Sequence, residues 1–152
     1  MPVYVAVLGP ADTTADVLAT AETVGRELAR RGAVVVTGGR AGVMEAACRG
    51  AAEEGGLTVG ILPGPDRSDA NGYVKVGIPT GMGELRNGLV ARAGDAVIAI
   101  DGGYGTLSEI GFALRIGRPV VGLSTWEDDA IAVARDPVDA VEQALSLAGA
   151  VS

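Results

Sequence analysis

The sequence predicts an α/β protein: a Rossmann-like three-layer sandwich with a mostly parallel sheet of about six to seven strands and helices on both faces. Three observations carry this expectation. Short β-branched runs alternate with longer helical segments from end to end, the pattern of βαβ units on a parallel sheet. Glycine-rich turns stand where strands give way to helices. Gly occurs 24 times while aromatics make up only 3%, a composition suited to thin, closely packed layers of helix on sheet. At 152 residues and 48% hydrophobic content the chain reads as one domain over 1–152, large enough for a core without disulfides.

Strands are expected at 3–8, 33–37, 58–62, 95–100 and 119–123, with a weaker one at 131–134. Thr13 or Thr14 caps a first helix that runs to Arg31, and Gly32 stops it. Gly42-Val43-Met44 opens a second helix that reaches about Glu54, where Gly55-Gly56 breaks it. Residues 63–81, rich in Pro, Gly, Asp and Asn, read as a long loop with at most a short strand near 73–76. A third helix follows from about 83 to 93, a fourth runs from the turn at 102–106 to Gly117, and Asp136-Pro137 supplies cap and first position of the last, which runs to about Ala148.

Composition excludes several classes of function. A net charge of −7 argues against nucleic acid as a partner, because binding a phosphate backbone needs a basic surface. The chain has no histidine, which removes a Ser-His-Asp triad and the commonest zinc ligand together, so no metal site is expected. Cys48 is the single cysteine, expected as a small buried residue, and no disulfide is available. No apolar run reaches the roughly 18 residues needed to span a bilayer, and Met1-Pro2-Val3-Tyr4-Val5 has no signal-peptide pattern. The expectation is a cytoplasmic protein without a membrane partner.

Chemistry concentrates in two strand-to-helix junctions, Thr37-Gly38-Gly39-Arg40-Ala41-Gly42 and Gly102-Gly103-Tyr104-Gly105-Thr106. In an open parallel sheet, such junctions form the ligand crevice. Glycine lets a backbone approach an anion closely, and free N–H groups at a helix start hold a phosphate. Neither junction has the G-x-G-x-x-G spacing of a dinucleotide site, and neither is a P-loop. Glu109 permits two readings. Three residues after Thr106, it fits a capping box that returns to the helix start; one turn into the helix, it also fits a carboxylate facing the crevice as a general base. Arg86 and Asn87 follow the loop closely enough to reach the same crevice, where Arg86 would clamp a phosphate or orient Glu109.

The run from Gly102 through Gly105-Thr106-Leu107-Ser108-Glu109, with Thr37-Gly38-Gly39 and Gly42-Val43-Met44, resembles the Lonely-guy (LOG-like) Rossmann superfamily. Ile78-Pro79-Thr80-Gly81-Met82-Gly83-Glu84-Leu85-Arg86-Asn87 resembles its molybdenum cofactor carrier branch. The superfamily's enzymes remove the base from cytokinin riboside 5′-monophosphates. By that resemblance Glu109 and Arg86 match the catalytic glutamate and arginine. Asn87 stands where a lysine is usual, and Asp101 where a proline usually leads the glycine motif. In the carrier branch the same crevice implies a phosphate-bearing pterin bound without cleavage.

Two functions are therefore expected to compete. One is binding of a phosphorylated nucleotide or pterin, molybdenum cofactor included, by Gly38, Gly39, Gly42, Met82, Arg86, Asn87, Gly102, Gly103, Tyr104, Gly105, Thr106 and Glu109. The other is metal-free cleavage of nucleoside 5′-monophosphates by Glu109 and Arg86, with no cofactor required. The lysine decarboxylase label attached to some relatives does not suit a chain whose only lysine is Lys75, since a pyridoxal phosphate enzyme needs a Schiff-base lysine. Nothing in the sequence supplies a second domain to receive a signal, which disfavours a regulatory sensor. Leu107, Ile110, Phe112, Ala113, Leu114 and Ile116 spread around the whole fourth helix, so a homodimer or homotetramer is expected.

Overall fold

The computed structural model describes residues 1–151, with side chains through residue 149. Seven strands form one sheet: β1 (Tyr4–Leu8), β2 (Val34–Thr37), β3 (Thr58–Leu62), β4 (Val76–Pro79), β5 (Ala96–Ile100), β6 (Val120–Leu123) and β7 (Ile131–Val133). Every pairing is parallel and the order is β4-β3-β2-β1-β5-β6-β7. The helices are α1 (Ala15–Arg30), α2 (Val43–Glu53), α3 (Asn87–Ala93), α4 (Tyr104–Arg115) and α5 (Pro137–Val151). The fold is thus the expected Rossmann-like sandwich, with a sheet that is wholly parallel.

Side-chain alternation along the strands divides the core in two. Val5 and Val7 of β1, with Val35, Ile98, Ile100 and Val121, face α1, α2 and α5. Ala6 and Leu8, with Val36, Val97, Ala99 and Val120, face the other way onto α3 and α4. Strands buried on both faces explain the continuous apolar runs of the sequence. The first layer is dense because α1 and α2 approach backbone to backbone. A Cβ on Gly25 would lie 1.9 Å from the carbonyl oxygen of Ala47, and one on Gly50 would lie 2.0 Å from that of Glu22.

Local signals set the helix ends. Thr14, the actual cap of α1, accepts a hydrogen bond from the Val17 amide, and Gly32 takes a left-handed conformation just beyond the helix. Asp136 caps α5 by accepting from the Asp139 amide, with Pro137 in the first turn as expected. Two elements differ from expectation. The strand in the long loop lies at Val76–Pro79, later than 73–76, because Asn71 accepts from the amides of Tyr73 (side chain) and Val74 (carbonyl) and holds 71–74 in a turn. Residues Gly83–Arg86 form a 3₁₀ turn, and the α-helix begins only at Asn87, because the amides of Leu85 and Asn87 donate to carbonyls three residues back, those of Met82 and Glu84.

The strand order reverses direction between β1 and β5. Loops after these two strands turn to opposite faces of the sheet and leave a crevice at their carboxyl ends, the position where open α/β sheets bind ligands.

The α1–α2 contact gives the first testable consequence. Gly25→Ala forces the helices apart, and the overpacking outweighs the helix-propensity gain, for a net loss of about 2 kcal/mol in urea denaturation.

Candidate functional site

A cavity of about 490 Å³ opens at that reversal point. The β1–α1 loop contributes Gly9, Pro10 and Ala11, and the β2–α2 turn contributes Gly38, Arg40, Ala41 and Met44. Glu84, Arg86 and Asn87 close one side, while Gly103, Gly105, Thr106 and Glu109 come from the β5–α4 turn and the start of α4.

The β5–α4 turn presents its amides unused. No protein acceptor takes the N–H groups of Gly102, Gly103, Tyr104, Gly105 or Thr106 among the described residues; the first amide of this region to find one is that of Leu107, bonded to the Gly103 carbonyl. The partial positive charge of the helix start adds to their field. Nothing in the protein requires glycine at 103 or 105. Neither has a positive φ, and a Cβ at either would meet no atom within 4 Å. The space they leave belongs to the cavity.

Helix α4 starts at Tyr104 with Gly103 as its cap, and no side chain caps it. Thr106 is therefore already inside the helix. This removes the capping-box reading of Glu109, whose side chain makes no hydrogen bond to the protein and instead lines the cavity at 8% exposure. Burial raises the Glu109 pKa to about 7, against the opposing pull of the Arg86 charge, with the Glu84 carboxylate adding to the rise. Burial likewise lowers the Arg86 pKa from its ordinary value, while Glu109 and Glu84 favour its charged form.

Arg86 is held by its neighbours. Its Nη1 donates to Oδ1 of Asn87, and its Nη2 reaches the Gly38 carbonyl at 3.4 Å. Asn87 in turn donates to Ser108 Oγ at 3.5 Å, and Ser108 Oγ donates to the Gly105 carbonyl at 2.9 Å. Asn87, standing where the resemblance has lysine, thus ties the arginine to the glycine turn. Gly38 has to be glycine for this: a Cβ there would lie 2.8 Å from Arg86 Nη2 and from Met44 Sδ. Arg86 Nε is buried with no hydrogen-bond partner.

Other sequence-selected residues stand outside the cavity wall. Gly42, at φ 70°, lets the β1–α1 loop cross the start of α2, where a Cβ would come within 2.4 Å of the Pro10 and Ala11 carbonyls. Gly39 lies against Leu62 of β3, and Met82 is exposed beside the 3₁₀ turn. Gly102 abuts Trp126, whose Nε1 donates to the Gly103 carbonyl at 3.2 Å, and Tyr104 is exposed with its ring centroid 6.0 Å from that of Trp126. Asp101 occupies a left-handed conformation at φ 60°, donates its amide to the Leu123 carbonyl and accepts from Thr13 Oγ1 at 2.8 Å. Proline, fixed near −65° and without an N–H, does not fit there.

Sequence reasoning missed Gly9, Pro10, Ala11, Arg40, Ala41, Met44 and Glu84 as cavity residues. Gly9-Pro10, directly after the strand expected at 3–8, was a usable signal of a third strand-to-helix junction. Arg40 lay inside a motif already singled out, between glycines that drew the attention.

The fold and crevice define a Rossmann-like ligand-binding α/β protein. The chain belongs to the SLOG cluster4 family, which matches residues 2–150. The molybdenum cofactor binding protein of Rippkaea orientalis superposes with a TM-score of 0.92 at 34% identity, over 97% of this chain and 98% of the other. The Moco carrier protein of Chlamydomonas reinhardtii gives 0.90 at 34% identity, covering 99% of each chain. A cytokinin riboside 5′-monophosphate phosphoribohydrolase of Rhodococcoides fascians is 36% identical over 95 residues, 59% of this chain and 47% of its own length. The protein is thus a LOG-like Rossmann protein of the Moco carrier-like branch, as its motifs indicated. No described helix is long and apolar enough to cross a membrane, and no described cluster of His, Cys, Asp or Glu could hold a metal ion.

The buried carboxyl of Glu109 has a measurable effect on stability. The folded protein keeps its proton to about pH 7, whereas the unfolded chain loses it near 4.5, so its contribution falls as pH rises through that window. Glu109→Gln, which cannot ionise, should therefore gain stability over the parent between pH 4.5 and 7. The gain should level off above pH 7 at roughly 1–3 kcal/mol, as read by urea denaturation across pH.

Proposed function

We propose that the protein binds a phosphate-bearing nucleotide- or pterin-type small molecule and carries it intact, with molybdenum cofactor as the ligand class. The phosphate rests on the free amides of the 102–106 turn that border the cavity, those of Gly103, Gly105 and Thr106, Arg86 supplies a guanidinium, and Asn87 and Glu109 contact the ligand's polar groups. The observation that carries this reading is the run of unengaged amides beside two glycines the fold does not need. Likeness to proteins described as molybdenum cofactor binding and carrying supports the ligand class. Lysine decarboxylation finds no support: Lys75 Nζ donates to the Gly56 carbonyl at 2.8 Å and does not line the cavity.

One observation favours a second reading, cleavage of nucleoside 5′-monophosphates. A carboxyl with a pKa of about 7, beside an arginine in a cavity, suits general-base work at neutral pH. Glu109 would take a proton from the attacking water as the water oxygen bonds to ribose C1′, the base would leave with the electrons of the broken N-glycosidic bond, and the proton held by Glu109 would pass to it, restoring the carboxylate. The likeness to a phosphoribohydrolase agrees with this chemistry.

Titration calorimetry with AMP, paired with chromatography of released base from AMP and N6-substituted AMP, separates the two. Binding without base release is the carrier's expected result; turnover that vanishes in Glu109→Gln would establish the hydrolase instead. In either case Gly105→Ala should weaken AMP binding at least about tenfold while leaving the melting temperature unchanged or higher, since alanine favours a helix. Full AMP affinity in that variant would remove the phosphate cradle.

The same reading includes assembly as a homodimer or homotetramer. Leu85 is 77% exposed, and Leu89 and Phe112 are exposed on the α3–α4 side of the sheet. Sedimentation velocity should show an oligomer that Phe112→Glu shifts toward monomer.

A further inference from the structure

We propose that Arg40 is a second anion anchor of the cavity, held in reserve by Asp69, and that it makes the site select a phosphate monoester dianion over a singly charged phosphodiester. This rests on the phosphate reading above and adds to it a residue and a charge requirement.

Arg40 lines the same cavity from the β2–α2 turn, the turn whose Gly38 carbonyl Arg86 reaches. Its charge acts against that of Arg86, so the two guanidinium groups share one field. Like charges that share a cavity repel, and an anion bound between them offsets that repulsion. Neither is fully engaged by the protein. Among the described residues the Arg40 side chain makes no hydrogen bond, and its one ion pair there, Nη1 to Asp69 Oδ2, is 3.9 Å long between groups exposed by 47% and 44%. Such a pair contributes little to stability. Arg86, for its part, keeps a buried Nε without an acceptor.

The backbone of Arg40 is fixed even though its side chain is loosely held. Asn71 donates its amide to the Gly39 carbonyl and its Nδ2 to the Arg40 carbonyl, both at 2.9 Å. This pins the long loop to the turn and places Asp69 next to Arg40. The carboxylate therefore competes with any anion in the cavity for one guanidinium. A dianion, which can satisfy both arginines and the free amides at once, displaces Asp69; a monoanion has less to offer the second arginine.

The test is titration calorimetry of AMP and of AMP methyl ester, which keeps the nucleoside but carries a single phosphate charge. The parent protein should prefer AMP by about tenfold or more. Arg40→Gln should lower AMP affinity about tenfold and leave methyl ester affinity nearly unchanged, so the preference collapses, and Arg40→Lys should keep part of it. Asp69→Asn should strengthen AMP binding several-fold by removing the competitor. Unchanged AMP affinity in Arg40→Gln overturns the inference, as does an equal loss for both ligands accompanied by a lower melting temperature, which would mark a structural role. Absence of binding of either ligand by the parent protein would be the failure of the phosphate reading itself.

Discussion

The site depends on one constraint: a backbone that turns from β5 into α4 while leaving five consecutive N–H groups without an internal acceptor. A helix start without a side-chain cap leaves its first N–H groups unpaired, and because Gly102, Tyr104 and Gly105 are exposed the run is open to water or a ligand. The sheet order makes it a site. Because the strand order reverses between β1 and β5, this turn opens beside the loops of β1 and β2, and the cavity is lined by groups from three parts of the chain.

Around that turn the chain has arranged opposed charges at partial burial. Glu109 and Arg86 alter each other's ionisation without forming an ion pair, which leaves both available to a ligand. The Asn87–Ser108–Gly105 chain fixes the arginine relative to the amides, so the cation and the N–H groups hold a constant separation. Preorganisation of this kind reduces the ordering cost of binding.

Much of this was legible in the residues. The alternation of β-branched and helical segments gave the layers, and the glycine runs marked two of the three turns that build the crevice. Arg86 and Glu109 were identified because each stands within reach of the crevice and each matches a motif position of the family the sequence resembles. What could not be read depends on tertiary placement. The role of Glu109 stayed divided because a capping box and a cavity carboxylate share one spacing, and only the helix start at Tyr104 separates them. The motif holding Arg40 and the Gly9-Pro10 junction can both be seen in the sequence, but that they meet the β5–α4 turn follows from strand adjacency, which local sequence does not encode. The strand of the long loop was displaced by a turn at Asn71 whose acceptors become evident only when the chain is folded.

Asp101 and Ser124 are the only described non-glycine residues with positive φ, at 60° and 51°, and they close neighbouring strands β5 and β6. Relatives whose glycine motif opens with proline must leave β5 by another path, since proline can neither adopt this angle nor bond the Leu123 carbonyl. The two versions of the motif are therefore not one mutation apart in structural terms. An engineer grafting the proline version onto this chain has to reshape the end of β5 and give up the bond to the Leu123 carbonyl.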